Sequence, residues 1–305
     1  LVFFLSSICD IINYMKTKSG IILINKEKGI SSFQEIQRVR KKLNIKKIGH
    51  AGTLDPLATG LLVVLINSAT KLSDYLLNLD KEYLVEVIVG IGTNSYDLDG
   101  EIISEKEVKE ELNIDDILNS FLGEYMQEAP IFSAISQDGE KLYKKARRGE
   151  DVELPQRLVE IKSIERVGDV IYQDNKAIFS FLTTVSKGTY IRSLVNDLGK
   201  KLNYPATVRN LCRTKISGFD LKDAYKVEDL DCDNLRIISN LDALKDYKQY
   251  NLATDEYDIV KHGRKINLKL EDEIVVLKYN NQLVGIYEKD NGLYKARRIW
   301  DNEGN

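Results

Sequence analysis

The sequence is short of metal ligands and redox groups. Its 305 residues hold two histidines, His50 and His262, and three cysteines, Cys9, Cys212 and Cys232. A catalytic histidine pair and a His-rich metal centre are therefore excluded. The cysteines form neither a metal-type cluster nor an even disulfide framework, which points to a reducing, cytoplasmic setting. Charge of one sign is lacking too: the net charge of −3 excludes a wholesale polycation, but not nucleic-acid binding, which depends on where the basic residues sit. GIG at 90–92 is not completed into a dinucleotide fingerprint. DLDG at 97–100 lacks the glutamate that closes a calcium loop and reads as a hairpin turn. There is no phosphate-cradling loop, zinc spacing, repeat or low-complexity tract. LVFFLSSICDIINY at 1–14 is apolar, but Asp10 interrupts it and it falls short of the roughly 20 residues a membrane span needs. It is expected to be an extension outside the fold, with Met15 and the following KTKSG a more natural beginning.

What is present is an ordinary globular composition, 43% hydrophobic and 30% charged, in a chain long enough for two domains. GIILIN (20–25) reads as a strand. SSFQEIQRVRKKLN reads as a serine-capped helix with Phe33, Ile36, Val39 and Leu43 on one face and Arg38, Arg40, Lys41 and Lys42 on the other. GLLVVLIN (60–67) reads as a buried strand and KEYLVEVIVGIG (81–92) as an alternating one. Residues 104–122 read as helical, 137–150 as a basic loop, 157–186 as two or three strands, 192–203 as a helix and ISGFDL as a returning strand. EIVVLKYNNQLVGIYEK predicts two strands about an Asn-Asn turn in a small all-β module. The expected division is 15–245 for a mixed α/β (α+β) catalytic domain and 246–305 for a small β-rich one.

HAGTLDPLATG (50–60) concentrates backbone constraint on one carboxylate. Pro56 biases Asp55 away from the helical region, and Gly52 and Gly60 permit turns that a side chain would forbid. The residues alone leave open whether Asp55 performs chemistry or caps a tight loop. Two basic neighbourhoods favour chemistry on nucleic acid: KKARR (144–148), and SKGTYIRSL (186–194) followed by Arg209, Arg213 and Lys215. Glycine beside lysine and tyrosine suits a backbone approaching phosphate while a ring meets a base. KKARR alone reads equally well as a solvated face, and Tyr83 alone as a half-buried strand tyrosine. Glycoside hydrolysis ordinarily uses two carboxylates, and here one is singled out. A reaction that detaches a base and rebonds it in the same pocket fits that count.

IGHAGTLDPLATGLLVV, GIILINKEKGISSF, DKEYLVEVIVGIGTNSYDLDGEI, APIFSAISQDGEKLYKKARRGE and VSKGTYIRSLVNDLGKKL, in this order, resemble the motifs of the bacterial tRNA pseudouridine(55) synthase family. The tail with VKHGRKI resembles the small PUA-type RNA-binding module. The resemblance implies a pseudouridine synthase fold with a central mixed sheet and flanking helices, and isomerisation of uridine to pseudouridine in the T loop of tRNA by base flipping. It implies Asp55 as nucleophile, His50 and Tyr190 as substrate contacts, Tyr83 stacking on the base, Arg192 pairing with Asp55, Leu211 as an apolar pocket residue and Lys187 as a phosphate or pocket contact. No metal or other cofactor, no membrane and no obligate protein partner is implied, and a monomer is expected. Four positions depart from the motifs, Glu27, Ala129, Phe132 and Ser136, and they bear on loop rigidity and one RNA contact.

Overall fold

The computed structural model describes residues 18–131, 136–137, 140–141, 148, 154–231 and 235–300. The expectations for residues 1–14, Phe132, Ser136's side chain, Cys9, Cys232 and most of KKARR lie outside the described residues.

The chain opens with β1 (Gly20–Lys26), α1 (Ser32–Leu43), β2 (Ile48–Ala51) and β3 (Thr59–Ile66), then a 3₁₀ turn over Asn67–Leu72 into α2 (Ser73–Leu77). Next come β4 (Lys81–Val89), β5 (Ile91–Thr93), β6 (Ile102–Glu105), α3 (Ile114–Asn119), β7 (Gly123–Glu128) and the short β8 (Ser136–Gln137) and β9 (Glu140–Lys141). After them run β10 (Gln156–Gln173), β11 (Lys176–Val185), α4 (Ile191–Leu202), β12 (Ala206–Ile216), β13 (Phe219–Asp220) and α5 (Asn240–Ala243). The chain closes with β14 (Lys248–Asn251), α6 (Thr254–Val260), β15 (Ile274–Tyr279), β16 (Gln282–Asp290) and β17 (Leu293–Ile299).

One mixed sheet runs in the order β1-β3-β12-β4-β11-β10-β7, with β2 added on β3 and β13 on β12. The apolar runs of β1 and β3 are continuous because both of their faces are covered. Ile21, Leu23, Leu61, Val63 and Leu65 turn to one side, where they join Val276, Leu283, Ile286 and Trp300 of the C-terminal module. Ile22, Ile24, Leu62, Val64 and Ile66 turn to the other, against Ile36, Val39 and Leu43 of α1. A third cluster joins β4, β11 and β12 to Leu194, Val195 and Leu198 of α4. The last four strands form a separate sheet, β14-β15-β16-β17, around their own core. Among the described residues no helix is long and apolar enough to cross a membrane.

One edge of β3 is shared, and this creates the opening for the site. β2 pairs with β3 from Val63 to Ile66, while β12 pairs parallel to it only at Thr59 and Gly60. The chain between β2 and β3 leaves the sheet at that change of partner, and it carries Asp55.

Several expectations need correction. Phe33 is 64% exposed and does not join the buried face of α1. Helix in the 104–122 stretch is confined to Ile114–Asn119, because Lys106 N and Val108 N donate to Gly90 O and Asn175 O and hold the preceding segment extended. The returning strand near ISGFDL (216–221) is the end of β12, whose 11 residues begin at Ala206, followed by the two-residue β13 that pairs back on it. The serine cap is present at Ser31 with Gln34 completing a capping box. The Asn-Asn turn is present with Asn280 and Asn281 both left-handed, as a two-residue hairpin of this hand requires.

Candidate active site

The Asp55 loop is fastened from four directions. Ser32 Oγ accepts from Leu54 N at 2.8 Å and donates to Leu54 O at 3.0 Å. The buried Lys26 ammonium donates to Glu27 O (2.8 Å), Ile30 O (2.7 Å) and Pro56 O (3.4 Å), and Gly29 N donates to Pro56 O. Arg213, only 1% exposed, donates from Nη2 to Gly52 O at 2.9 Å and from Nε to Leu61 O at 2.8 Å. Leu54, Leu57 and Ala58 sink into the core on either side of the aspartate. A Cβ at Gly60, where φ is +96°, would meet Arg213 O at 2.4 Å, so this glycine permits the close β3–β12 approach.

With its loop held by other groups, the Asp55 carboxylate is left for something else. Its Oδ2 lies 2.8 Å from Arg192 Nε at the start of α4, and its side chain remains 40% exposed. Arg192 is 6% exposed, donates from Nη1 to Ser95 O at 3.0 Å, and has Asp97 Oδ2 at 3.6 Å from Nε. Asp97 is buried and receives Ser95 Oγ and Asp99 N on its Oδ1. One buried guanidinium thus stands between a buried carboxylate and a half-exposed one. Pairing of this kind compensates the burial of Asp97 and fixes the direction of Asp55.

Asp55 opens onto a cavity of about 320 Å³. Tyr83 of β4 and Leu211 of β12 form its apolar wall, and Tyr190 and Arg192 enter from the N-terminal end of α4. Tyr190 is set by the fully buried Gln127, which accepts from Tyr190 N at 2.7 Å and donates to Tyr190 O at 3.1 Å. The Arg157 guanidinium lies 5.1 Å from its ring centroid. Lys81 and Arg213 also line the cavity. Burial, with Arg213 second, pushes the Lys81 amine down to about 8.

Five of the seven residues singled out from sequence therefore meet at one cavity: Asp55, Tyr83, Tyr190, Arg192 and Leu211. Two do not line it. His50 lies on β2 with Nδ1 buried and unpartnered, and burial together with Arg213 holds its imidazole below the ordinary value. Lys187 is exposed and donates to Asn78 Oδ1 at 3.1 Å. Of the other basic residues, Arg209 and Lys215 pair with Glu86 and Glu82, and Arg213 is buried in the loop's support instead of facing outward. Asp97 and Gln127 were not visible as site residues. Asp97 lay in a stretch that reads as a turn, and nothing local in either residue signals its distant partner.

Residues 40–191 match the family described as TruB family pseudouridylate synthase (N terminal domain). Among solved structures, the chain aligns with a protein in "Crystal Structure of a Cbf5-Nop10-Gar1 Complex" at 20% identity and TM-score 0.70, over 94% of this chain and 86% of that one. A second, in "Structure of H/ACA RNP bound to a substrate RNA containing 2'-deoxyuridine", gives 21% identity and TM-score 0.67 over 93% and 86%. These likenesses establish the fold, and the family match over residues 40–191 adds the class, an enzyme of the pseudouridine synthase kind. The tRNA pseudouridine synthase B of Mesoplasma florum is 42% identical over 92% of this chain and 98% of its own. That of Lactobacillus acidophilus is 40% identical over 91% and 96%. The chain belongs to the TruB family, whose reaction is the isomerisation of uridine to pseudouridine.

Proposed function

We propose that this protein converts the uridine at position 55, in the T loop of tRNA, to pseudouridine, with Asp55 as the group that drives the reaction. The observation that carries this reading is the Asp55–Arg192 pair, 2.8 Å apart, opening onto a cavity walled by Tyr83 and Leu211. Ligand pockets run from about 300 to 1,000 Å³, so this one suits a single base and its sugar, not a duplex. The target base leaves its stack, at a cost of a few kcal/mol. Stacking on Tyr83 offsets about 1–3 kcal/mol of that. Asp55 attacks the sugar or removes a ribose proton, the C1′–N1 bond breaks, and the base turns within the pocket and rebonds through C5. Arg192, held by Asp97 and Ser95 O, aims Asp55 at the sugar, while Tyr190 and Leu211 confine the base. His50 and Lys187 act outside the cavity wall, on the RNA that surrounds the flipped nucleotide. The catalytic domain spans 15–245 and an RNA-binding module spans 246–305, a division supported by the separate sheet that starts at Lys248. The free enzyme works on tRNA in the cytoplasm as a monomer.

The test uses a tRNA transcript tritiated at C5 of its T-loop uridine. Making the C5 glycosidic bond expels that hydrogen, so one tritium is expected per tRNA and the base stays attached. Free uracil in the mixture would identify a base-releasing glycosidase and sink the proposal, and tight binding without release would leave only an RNA-binding protein.

A further inference from the structure

Lys81 and Arg213 stand out among the residues lining the cavity. They are buried cations, yet neither forms an ion pair with a carboxylate among the described residues, whereas Arg192 has two nearby. β4 alternates so that Lys81, Tyr83 and Val85 turn to one face, and Arg213 of β12 stands opposite Tyr83 in the register. The tyrosine is therefore flanked by one cation along its own strand and another across from it. The partners of both cations are neutral carbonyls. Lys81 Nζ donates to Leu77 O at 2.7 Å and to Leu79 O, and Arg213 donates to Leu61 O and Gly52 O. An ammonium has three N–H donors, so one remains on a side chain that lines the cavity and is only 8% exposed.

Two desolvated cations with no carboxylate in ion-pair contact are costly, and they stabilise best an anion that appears where they point. Breaking the C1′–N1 bond produces such an anion. The bonding pair leaves with the base, and the charge at N1 spreads over O2 and O4 of the uracil. We propose that Lys81 is a further catalytic residue, which with Arg213 beside it holds the negative charge of the detached uracil until C5 bonds to C1′. The N1 charge is discharged by a proton from solvent, and C5 loses its own proton to solvent, so the isomerisation balances. The cation lowers the barrier to bond cleavage because it is already in place when the charge develops, held there by its two carbonyl bonds. This inference rests on the isomerisation proposed above.

The charged and titratable groups that face Lys81 are Arg213 from β12, Lys187 from the turn before α4, Asp80 in its own turn and Tyr83 alongside, with Asp55 and Arg192 around the same cavity. Its amine is protonated below about 8, the form the proposal requires, so activity falls as pH rises through that region.

The experiment uses the full chain and the C5-tritiated tRNA, in single turnover with enzyme in excess, together with tRNA affinity and melting temperature. Lys81→Met should slow tritium release about 100-fold, the scale of losing one oxyanion donor, with affinity near wild type and a melting temperature lowered only by the loss of a donor to Leu77 O and Leu79 O. Lys81→Arg should recover a large part of the rate and remove the fall at alkaline pH, because a guanidinium stays charged there. Three outcomes overturn the proposal: Lys81→Met as fast as wild type; rate and affinity lost together, which identifies a backbone-phosphate clamp; or Lys81→Arg restoring melting temperature but not rate, which identifies a residue that only pins the 77–80 turn. Absence of tritium release by the wild type would instead defeat the isomerase reading and is distinguishable from all three.

Discussion

The two sheets hold their loops in different ways. Around the catalytic cavity, loop carbonyls are gathered by cations: Lys26 takes those of residues 27, 30 and 56, Arg213 those of 52 and 61, and Lys81 those of 77 and 79. In the C-terminal sheet the fully buried anchors are neutral hydroxyls, and the one lysine that joins them, Lys289 on Leu270 O, is only half-buried. Tyr287 OH reaches the carbonyls of Val260 and Arg264, and Tyr294 OH those of Leu270 and Asp272. Both arrangements satisfy buried backbone groups, which is obligatory. They differ in electrostatics. A tyrosine anchors without altering the local potential, whereas a lysine or arginine anchors and also leaves positive charge beside the cavity, at the cost of desolvating an ion. The catalytic region accepts that cost, and a polyanionic substrate explains why it is worth accepting.

The largest effect that separates the two regions should come from Arg192→Met. Removing it leaves Asp97 buried without a cation, a loss of about 3–5 kcal/mol for a broken buried pair, and leaves Asp55 unaimed. Tritium release should fall at least 100-fold, the scale of a lost preorganised donor, while melting drops by several degrees. Next comes Lys26→Met, which strands the carbonyls of Glu27 and Ile30 and should cost about 1–3 kcal/mol together with much of the turnover. In the C-terminal sheet Tyr287→Phe strands the carbonyl of Arg264 and leaves that of Val260 with its bond from Gly263 N, and a smaller loss of about 1–2 kcal/mol is expected. Its turnover of a short T-stem hairpin should nevertheless be unchanged. Equal turnover losses in Lys26→Met and Tyr287→Phe would erase the distinction drawn between the two regions.

Alkaline pH separates the regions by sign. Lys26 and Lys81 titrate near 8 in the fold and near 10.5 when unfolded. Between those values the unfolded chain binds more protons, so this contribution stabilises the fold as pH rises. Tyr287 titrates near 12 in the fold and near 10 when unfolded, so its contribution is lost as pH rises across that interval. Urea titrations from pH 8 to 10 should show Lys26→Met and Lys81→Met with a flatter rise than wild type, and Tyr287→Phe with the wild-type slope. The smallest expected effect is Phe33→Ser. This ring is mostly exposed, and the change should stay within about 0.5 kcal/mol despite its place in an apparently apolar helical stripe.

The parts of this architecture legible in the sequence are those written in local chemistry. The Gly-and-Pro-bounded Asp55 loop, the Ser31 cap and the Asn-Asn turn each carry their backbone requirement in adjacent residues. Much of the rest depended on distant partners. β12 escaped notice because two irregularities, at Val208/Asn210 and Arg213/Lys215, break its alternation. Bulges of this kind re-aim side chains, and here Leu211 and Arg213 both end at the cavity. Residues 106–113 carry a helix-favouring composition, but Val108 is drawn into the core and its N–H to Asn175 O. Asp97 acquires meaning only when the bridge to Val208 brings its turn under Arg192. The basic residues near 209–215 suggested an outer RNA surface, yet two of them answer carboxylates on β4 and the third supports the loop beneath the site.

The central claim, that the carefully held Asp55 performs chemistry on a uridine, meets its most direct test in Asp55→Asn, a change of one oxygen to nitrogen that leaves the loop's clamps untouched. Tritium release from the C5-labelled tRNA and tRNA affinity should be measured on the same preparation beside the wild type. The account predicts that release disappears while binding persists. Release at the wild-type rate would contradict it, and Asp55 would then be no more than one end of an ion pair with Arg192.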